Sequence, residues 1–203
     1  PETVRQLILD VGVKPVDLTV SWQNIQALNR KRLDPSANRF FFIANPIALV
    51  VNDVHKTYTS SLPLHPSNPD AGQRTLIVEP TDGAAHLIIA KGDLSLFVPG
   101  NTIRLMSLFN IGIESVDEQI TAHFQSEDYV TAKQQKASLI HWLPKTSGVT
   151  TSVVMPDASM CQGIAESACG QLRPGDIVQF ERFGFTRIDH VDESGILAYY
   201  AHR

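Results

Sequence analysis

The chain has 203 residues, 43% of them hydrophobic and 19% charged, with two cysteines and a formal charge of −4. That length can bury one large core or two small ones, and the composition excludes a disordered, collagenous, coiled-coil or disulfide-scaffold protein. A net negative charge also excludes nucleic-acid binding by bulk electrostatics, so any RNA contact must come from a local cluster.

In chain order, Pro1 opens the sequence with no initiator Met and the pattern turns helical at once, as expected of a fragment whose chemistry lies upstream. Val4, Leu7, Ile8 and Val11 share one helical face, and Gly12 supplies a stop. Ser21 is a good N-cap for a second helix that aligns Trp22, Ile25 and Leu28 and ends at Asp34-Pro35. The clearest local positive excess is Arg30, Lys31, Arg32 and Arg39, opposed only by Asp34. Charge alone reads this as a solvated helix end whose cations favour the C-terminal dipole. Residues 1–36 are therefore expected to form a helical connector.

After Asn38 short apolar or alternating runs alternate with Pro, Gly, Asn and Asp clusters, so residues 37–203 are expected to be mainly β. Expected strands are FFFIA at 40–44, IALVV at 47–51 with Pro46 at its start, TLIV at 75–78, HLIIA at 86–90 and the long run TIRLMSLFNIGI at 102–113. Further ones are ITAHF at 120–124, ASLIHWL at 137–143, TSVVM at 151–155, IVQF at 177–180 and ILAYY at 196–200. So many short strands suit two small antiparallel β-barrels or sandwiches. Val98-Pro99-Gly100-Asn101 and Arg173-Pro174-Gly175-Asp176 both place Pro then Gly as a type II turn requires, a hint of two related barrels. The stretch 52–73, with Pro63, Pro66 and Pro69, has no strand pattern and is expected to be a structureless loop, functional or mobile.

No phosphate-cradling glycine loop, dinucleotide fingerprint, nucleophile elbow or zinc-protease helix occurs. Cys161, Cys169 and the scattered histidines lack metal-ligand spacing, so no metal is assigned. Asp176 and Glu181 form a nominal carboxylate pair, but turns and strand surfaces commonly carry such residues. No apolar stretch reaches the ~18 residues of a membrane span and no leader opens the chain, so a cytoplasmic protein without a membrane partner is expected.

The run GQLRPGDIVQFERFGFTRID at 170–189 closely resembles the final barrel of the class I synthetases that charge tRNA with glutamate or glutamine. DPSANRFFFIANPIALVV at 34–51, LHPSNPDAGQRTL at 64–76, PGNTIRLMSLFNIGI at 99–113 and KASLIHWLP at 136–144 resemble the same family in the same order. The likeness leans toward glutamyl enzymes of the archaeal and eukaryotic type. It implies a tRNA anticodon-binding region of two β-barrels, proximal and distal to a catalytic core whose HIGH and KMSKS signatures are not in this sequence. ATP and Mg²⁺ would belong to that core, leaving this chain with no cofactor and no catalytic residue. The implied partner is tRNA(Glu), with tRNA(Gln) open and DNA not expected. A glutaminyl parent, or a protein-interaction module that docks within a synthetase complex, are the competing readings.

The family motif also implies site residues. In glutaminyl relatives the middle anticodon uridine sits among an Arg before the first strand and the Gln and Arg of QFER, positions matched by Arg39, Gln179 and Arg182. Arginine forks and a glutamine amide can satisfy the edge of an unstacked uracil. Arg104 matches another basic residue near the anticodon, with a contact to the first base or its phosphate as its role. A second family Arg is replaced by Met106, and the Arg that reads the third base finds only Ser95 or Leu96. Phe180, Phe183 and Phe185 could stack on bases, though a strand position favours core packing for at least two. Trp142 is expected in a barrel core, with His141 satisfying a backbone group.

Overall fold

The computed structural model describes residues 2–12 and 19–203. Helix α1 (Glu2–Val11) ends at Gly12, whose φ of 67° lies in the left-handed region that favours glycine and whose N–H caps the Ile8 carbonyl. Helix α2 (Trp22–Leu33) starts where Ser21 Oγ accepts the Asn24 N–H. Thr3 Oγ1 donates to Asn29 Oδ1 and joins the helices. Asn29 Nδ2 lies 2.9 Å from His202 Nε2, and the Arg30 guanidinium donates to the Arg203 carbonyl, so α2 is seated on the last strand.

The rest is β structure. In chain order come β1 (Asn38–Phe40), β2 (Phe42–Ala44), β3 (Pro46–Asn52), β4 (Tyr58–Pro63), β5 (Gln73–Val78), β6 (Ala85–Ala90), β7 (Thr102–Leu105), β8 (Asn110–Val116) and β9 (Ile120–Ser126). After a short helix α3 (Tyr129–Gln134) follow β10 (Ser138–Ile140), β11 (Leu143–Pro144), β12 (Val149–Val154), β13 (Met160–Ala165), β14 (Ile177–Phe180), β15 (Gly184–Asp192) and β16 (Gly195–His202).

They build two seven-stranded sheets, in the order β10-β7-β8-β9-β3-β6-β11 and β1-β14-β15-β16-β12-β13-β2. The edge strands of the first sheet, β10 and β11, are separated by His141 and Trp142 alone, and those of the second, β1 and β2, by Phe41 alone. Seven flat strands would put the edges about 29 Å apart, whereas so short a link spans roughly 10 Å at most. Each sheet must therefore curl into a barrel.

The two orders superimpose strand for strand, so the second barrel repeats the first. The paired Pro-Gly turns coincide in detail: Gly100 (φ 86°) and Gly175 (φ 97°) donate to Ile113 O and Ile188 O, each at 2.8 Å. Ser107 and Arg182, both left-handed, also correspond, as do the bonds from Met106 N–H to Ile140 O and from Glu181 N–H to Phe40 O. One element breaks the repeat. β4 and β5 form a hairpin inserted between β3 and β6, where β12 and β13 are joined by a tight turn closed by Met155 and Ser159.

The run at 40–43 explains itself here. Phe40 and Phe42 enter the second core with Phe180 and Ile188, while Phe41 and Ile43 enter the first with Leu49, Ile89 and Trp142. Alternate residues of a strand face opposite ways, and a strand lying between two barrels is apolar on both faces.

Several expectations need correction. The stretch 52–73 is not structureless: it contains β4 and the turn into β5. The run 102–113 is two strands, broken where Ser107 takes φ 55°, and 137–143 is broken at His141 and Trp142. Strands β13 and β15 and helix α3 were not expected, because MCQGIA and the TRIDHVD part of β15 mix polar and apolar residues.

Candidate nucleic-acid interface

Arg39 on β1 lies directly beside Gln179 on β14 in a parallel ladder. Both point away from the second core, which their neighbours Phe40, Val178 and Phe180 fill. Arg39 Nη2 donates to Asp34 Oδ1 at 3.1 Å, but its Nε is buried without a partner, and so is Gln179 Oε1. A donor and an acceptor thus stand side by side without satisfying each other. Each unpaired group costs about 1–3 kcal/mol, and because both atoms are shut off from solvent, a ligand with a complementary acceptor and donor recovers that cost only once the side chains open to admit it.

Arg39 is held from several sides. Asp34, the C-cap of α2, supplies the carboxylate. The inserted hairpin supplies the Leu64 carbonyl, which accepts the Arg39 N–H at 2.7 Å. His65 accepts the Ser67 N–H on Nδ1, so Nε2 carries the proton it donates to the Asp34 carbonyl at 2.6 Å.

Behind this surface lies a buried charged network. Arg74 on β5 donates from Nε to Glu166 Oε1 at 2.8 Å, from Nη2 to Glu181 Oε1 at 2.6 Å, and from Nη1 to the Pro63 carbonyl. Glu166 Oε1 also accepts the Phe41 N–H at 2.6 Å. Burial pushes the Glu166 carboxyl above the usual range, against the pull of Arg74.

Arg182 stands in the turn after β14 at φ 63° and pairs both terminal nitrogens with Asp93, at 2.8 and 2.5 Å. Asp93 belongs to a 3-10 turn at Lys91–Leu96 of the first barrel, so the pair bridges the barrels. It borders a cleft of about 140 Å³ lined also by Phe42, His141, Phe183 and Arg203. The fold thus brings Arg39 and Gln179 together and engages Arg182 with Asp93 instead. Phe180, Phe185 and Trp142 are fully buried; Phe183 is half-buried against Phe42 and Tyr200. His141 Nε2 has no partner, while the ring stacks on Phe41 and lies within hydrogen-bonding reach of the Glu181 backbone.

In the repeat, Leu139 beside Arg104 is the counterpart of Arg39 beside Gln179. Arg104 Nη1 donates to the Glu127 carbonyl at 2.8 Å and to Asn110 Oδ1 at 3.2 Å, while Leu139 and Tyr129 are exposed. Met106 contributes its carbonyl to Trp142 Nε1. Ser95 and Leu96 lie in the same 3-10 turn as Asp93. Asp176 closes its turn on the Arg173 N–H and Glu181 serves Arg74, so that carboxylate pair is structural.

No motif evident in the sequence assigns a role to Arg74, Asp93, His65 or Glu166. The available signal was a lone arginine in QRTLIV, at a core-facing place in an alternating strand.

Residues 37–129 match the family of tRNA synthetases class I (E and Q), anti-codon binding domain, and residues 139–189 match a second model of that description. The glutamate–tRNA ligase of Pyrococcus furiosus is 42% identical over 206 residues, and those of Methanopyrus kandleri and Methanocaldococcus jannaschii are 38% identical over 203. Each alignment covers all of this chain and 35% of the relative, so the chain spans about a third of the length of the curated relatives it matches. With the two matches following one another across both barrels, the chain belongs to the anticodon-binding family of the class I tRNA synthetases for glutamate and glutamine.

Proposed function

We propose that this chain is the tRNA-reading part of a glutamate–tRNA ligase and that Arg39 and Gln179 hold the middle uridine of the anticodon. The observation that carries this reading is the adjacent pair of buried, unpartnered groups, Arg39 Nε and Gln179 Oε1. A splayed-out uracil offers carbonyl acceptors flanking an imino donor. With the two side chains opened by the entering base, Gln179 Oε1 accepts from the imino group and Arg39 donates to a neighbouring carbonyl. Cytosine presents an acceptor where uracil has its donor, so the same groups repel it.

Arg182, 44% exposed, keeps its terminal nitrogens on Asp93 and turns the rest of its guanidinium toward the RNA. Arg104 contacts the first base or its phosphate. Aminoacylation, ATP and Mg²⁺ are assigned to the rest of the enzyme, with tRNA(Glu) as partner in the cytoplasm.

The test is fluorescence titration of the chain with RNA hairpins carrying the glutamate anticodon or its middle-cytidine counterpart. A good base contact is worth ~1–3 kcal/mol, so the uridine hairpin should bind about tenfold tighter or better. Affinity should fall with salt by a slope of about −0.7 per phosphate neutralised. Absence of hairpin binding at low salt would instead indicate a protein-docking module.

A further inference from the structure

We infer that Arg74, which lies in the buried network and away from the base-facing surface, is the positioning residue that makes the Arg39–Gln179 pair selective. The inference rests on the reading of that pair as a base site. Arg74 reaches both strands of the pair at the same step. Glu181, which it binds at 2.6 Å, stands two residues after Gln179. Glu166, which it binds at 2.8 Å, accepts the N–H of Phe41, two residues after Arg39. The ladder between β1 and β14 is only three residue pairs long. Its downstream end is therefore fixed by one guanidinium acting directly on one strand and through a carboxylate on the other.

The origin of Arg74 points the same way. It comes from β5, part of the hairpin that the second barrel lacks. That hairpin also supplies the Leu64 carbonyl to Arg39 and the His65 imidazole to Asp34. The one insertion that breaks the repeat thus delivers its polar groups to the surroundings of Arg39 and Gln179. At the equivalent ladder of the first barrel, between β10 and β7, the pair is Leu139 and Arg104. Arg74 Nε, Nη1 and Nη2 are all engaged, and the side chain is 2% exposed, so it acts on the RNA through the strands and without touching it.

The test uses two variants of the whole chain. Arg74→Lys keeps the charge but loses the fork that spans two carboxylates. The triple variant Arg74→Met/Glu166→Gln/Glu181→Gln removes the buried charges together, a change folds tolerate better than stranding one partner. Thermal unfolding reports whether each folds, and titration with the uridine and cytidine hairpins reports selectivity. The expected result is a folded variant whose preference for uridine drops from about tenfold or more to less than about threefold, with cytidine-hairpin affinity nearly unchanged. A folded variant that keeps the wild-type preference overturns the inference, and so does failure of both variants to fold, which would leave Arg74 a role in stability alone. A wild-type chain that binds both hairpins equally overturns the base-site reading itself, whatever the variants do.

Discussion

Phe41 and His141 occupy equivalent places in the two barrels, each between the edge strands of its sheet, and they stack on one another with ring centroids 4.2 Å apart and planes at 16°. The repeat therefore meets itself at the junction. Arg74 and the pair of Arg182 with Asp93 bridge the two barrels as well.

That stack predicts a pH dependence. Burial, then the nearby Arg182 and Arg74 guanidiniums, lower the His141 pKa from 6.5 to about 3. Below pH 6.5 the unfolded chain takes up a proton that the folded chain refuses. This contribution to stability is present at neutral pH and lost as pH falls from 6.5 toward 3, by up to about 1.4 kcal/mol per unit. His141→Phe keeps an aromatic ring on Phe41 and removes the titration. Urea unfolding at pH 7, 6 and 5 should show the variant gaining on wild type at each step down.

The bridge between barrels can be measured by a double-mutant cycle. Asp93→Ala strands a half-exposed arginine, whereas Arg182→Ala strands a buried carboxylate and should cost more. With Arg182 44% exposed, solvent screening holds the expected coupling to about 1–2 kcal/mol. Chemical denaturation of the four proteins at low and high salt checks it, with the coupling shrinking as salt rises.

Arg104 should act on the RNA backbone or the first base. Arg104→Ala is expected to weaken the uridine and cytidine hairpins alike and to reduce the magnitude of the salt slope by about 0.7. Titration at several salt concentrations separates this from a change in middle-base selectivity.

Closure of the second barrel depends on Gly163. A Cβ there would sit 2.4 Å from the Phe42 ring and 2.5 Å from the Ile43 carbonyl, at the pairing of β13 with β2. Gly163→Ala should destabilise the fold by about 1–3 kcal/mol, read as a lowered midpoint of thermal unfolding.

Some of this was legible in the sequence. The Pro-Gly turns marked the repeat because a left-handed glycine after proline is a local requirement, and Gly12 and Ser21 marked helix ends for the same reason. The hairpin at β4 was hidden because its prolines and serines gave a loop-like texture, and its pairing to β5 is a tertiary fact. Gln179 beside Arg39 could be inferred only through the family motif, since nothing local in RFF or VQF says that two strands so far apart in sequence lie in parallel. Asp93 and Glu166 were invisible because a buried ion pair is recognised by its partner, and each partner lies in a distant segment; Arg74 showed only as a lone arginine at a core-facing place, with nothing nearby to say what it binds.

If Arg39 and Gln179 read one unpaired pyrimidine, then Gln179→Met, which deletes the buried acceptor at nearly constant volume, removes the reading itself. Affinities of wild type and variant for the two hairpins should show a uridine preference of about tenfold or more in the wild type that collapses in the variant. Equal weakening on both hairpins, or an undiminished preference, would mean that Gln179 does not read the base.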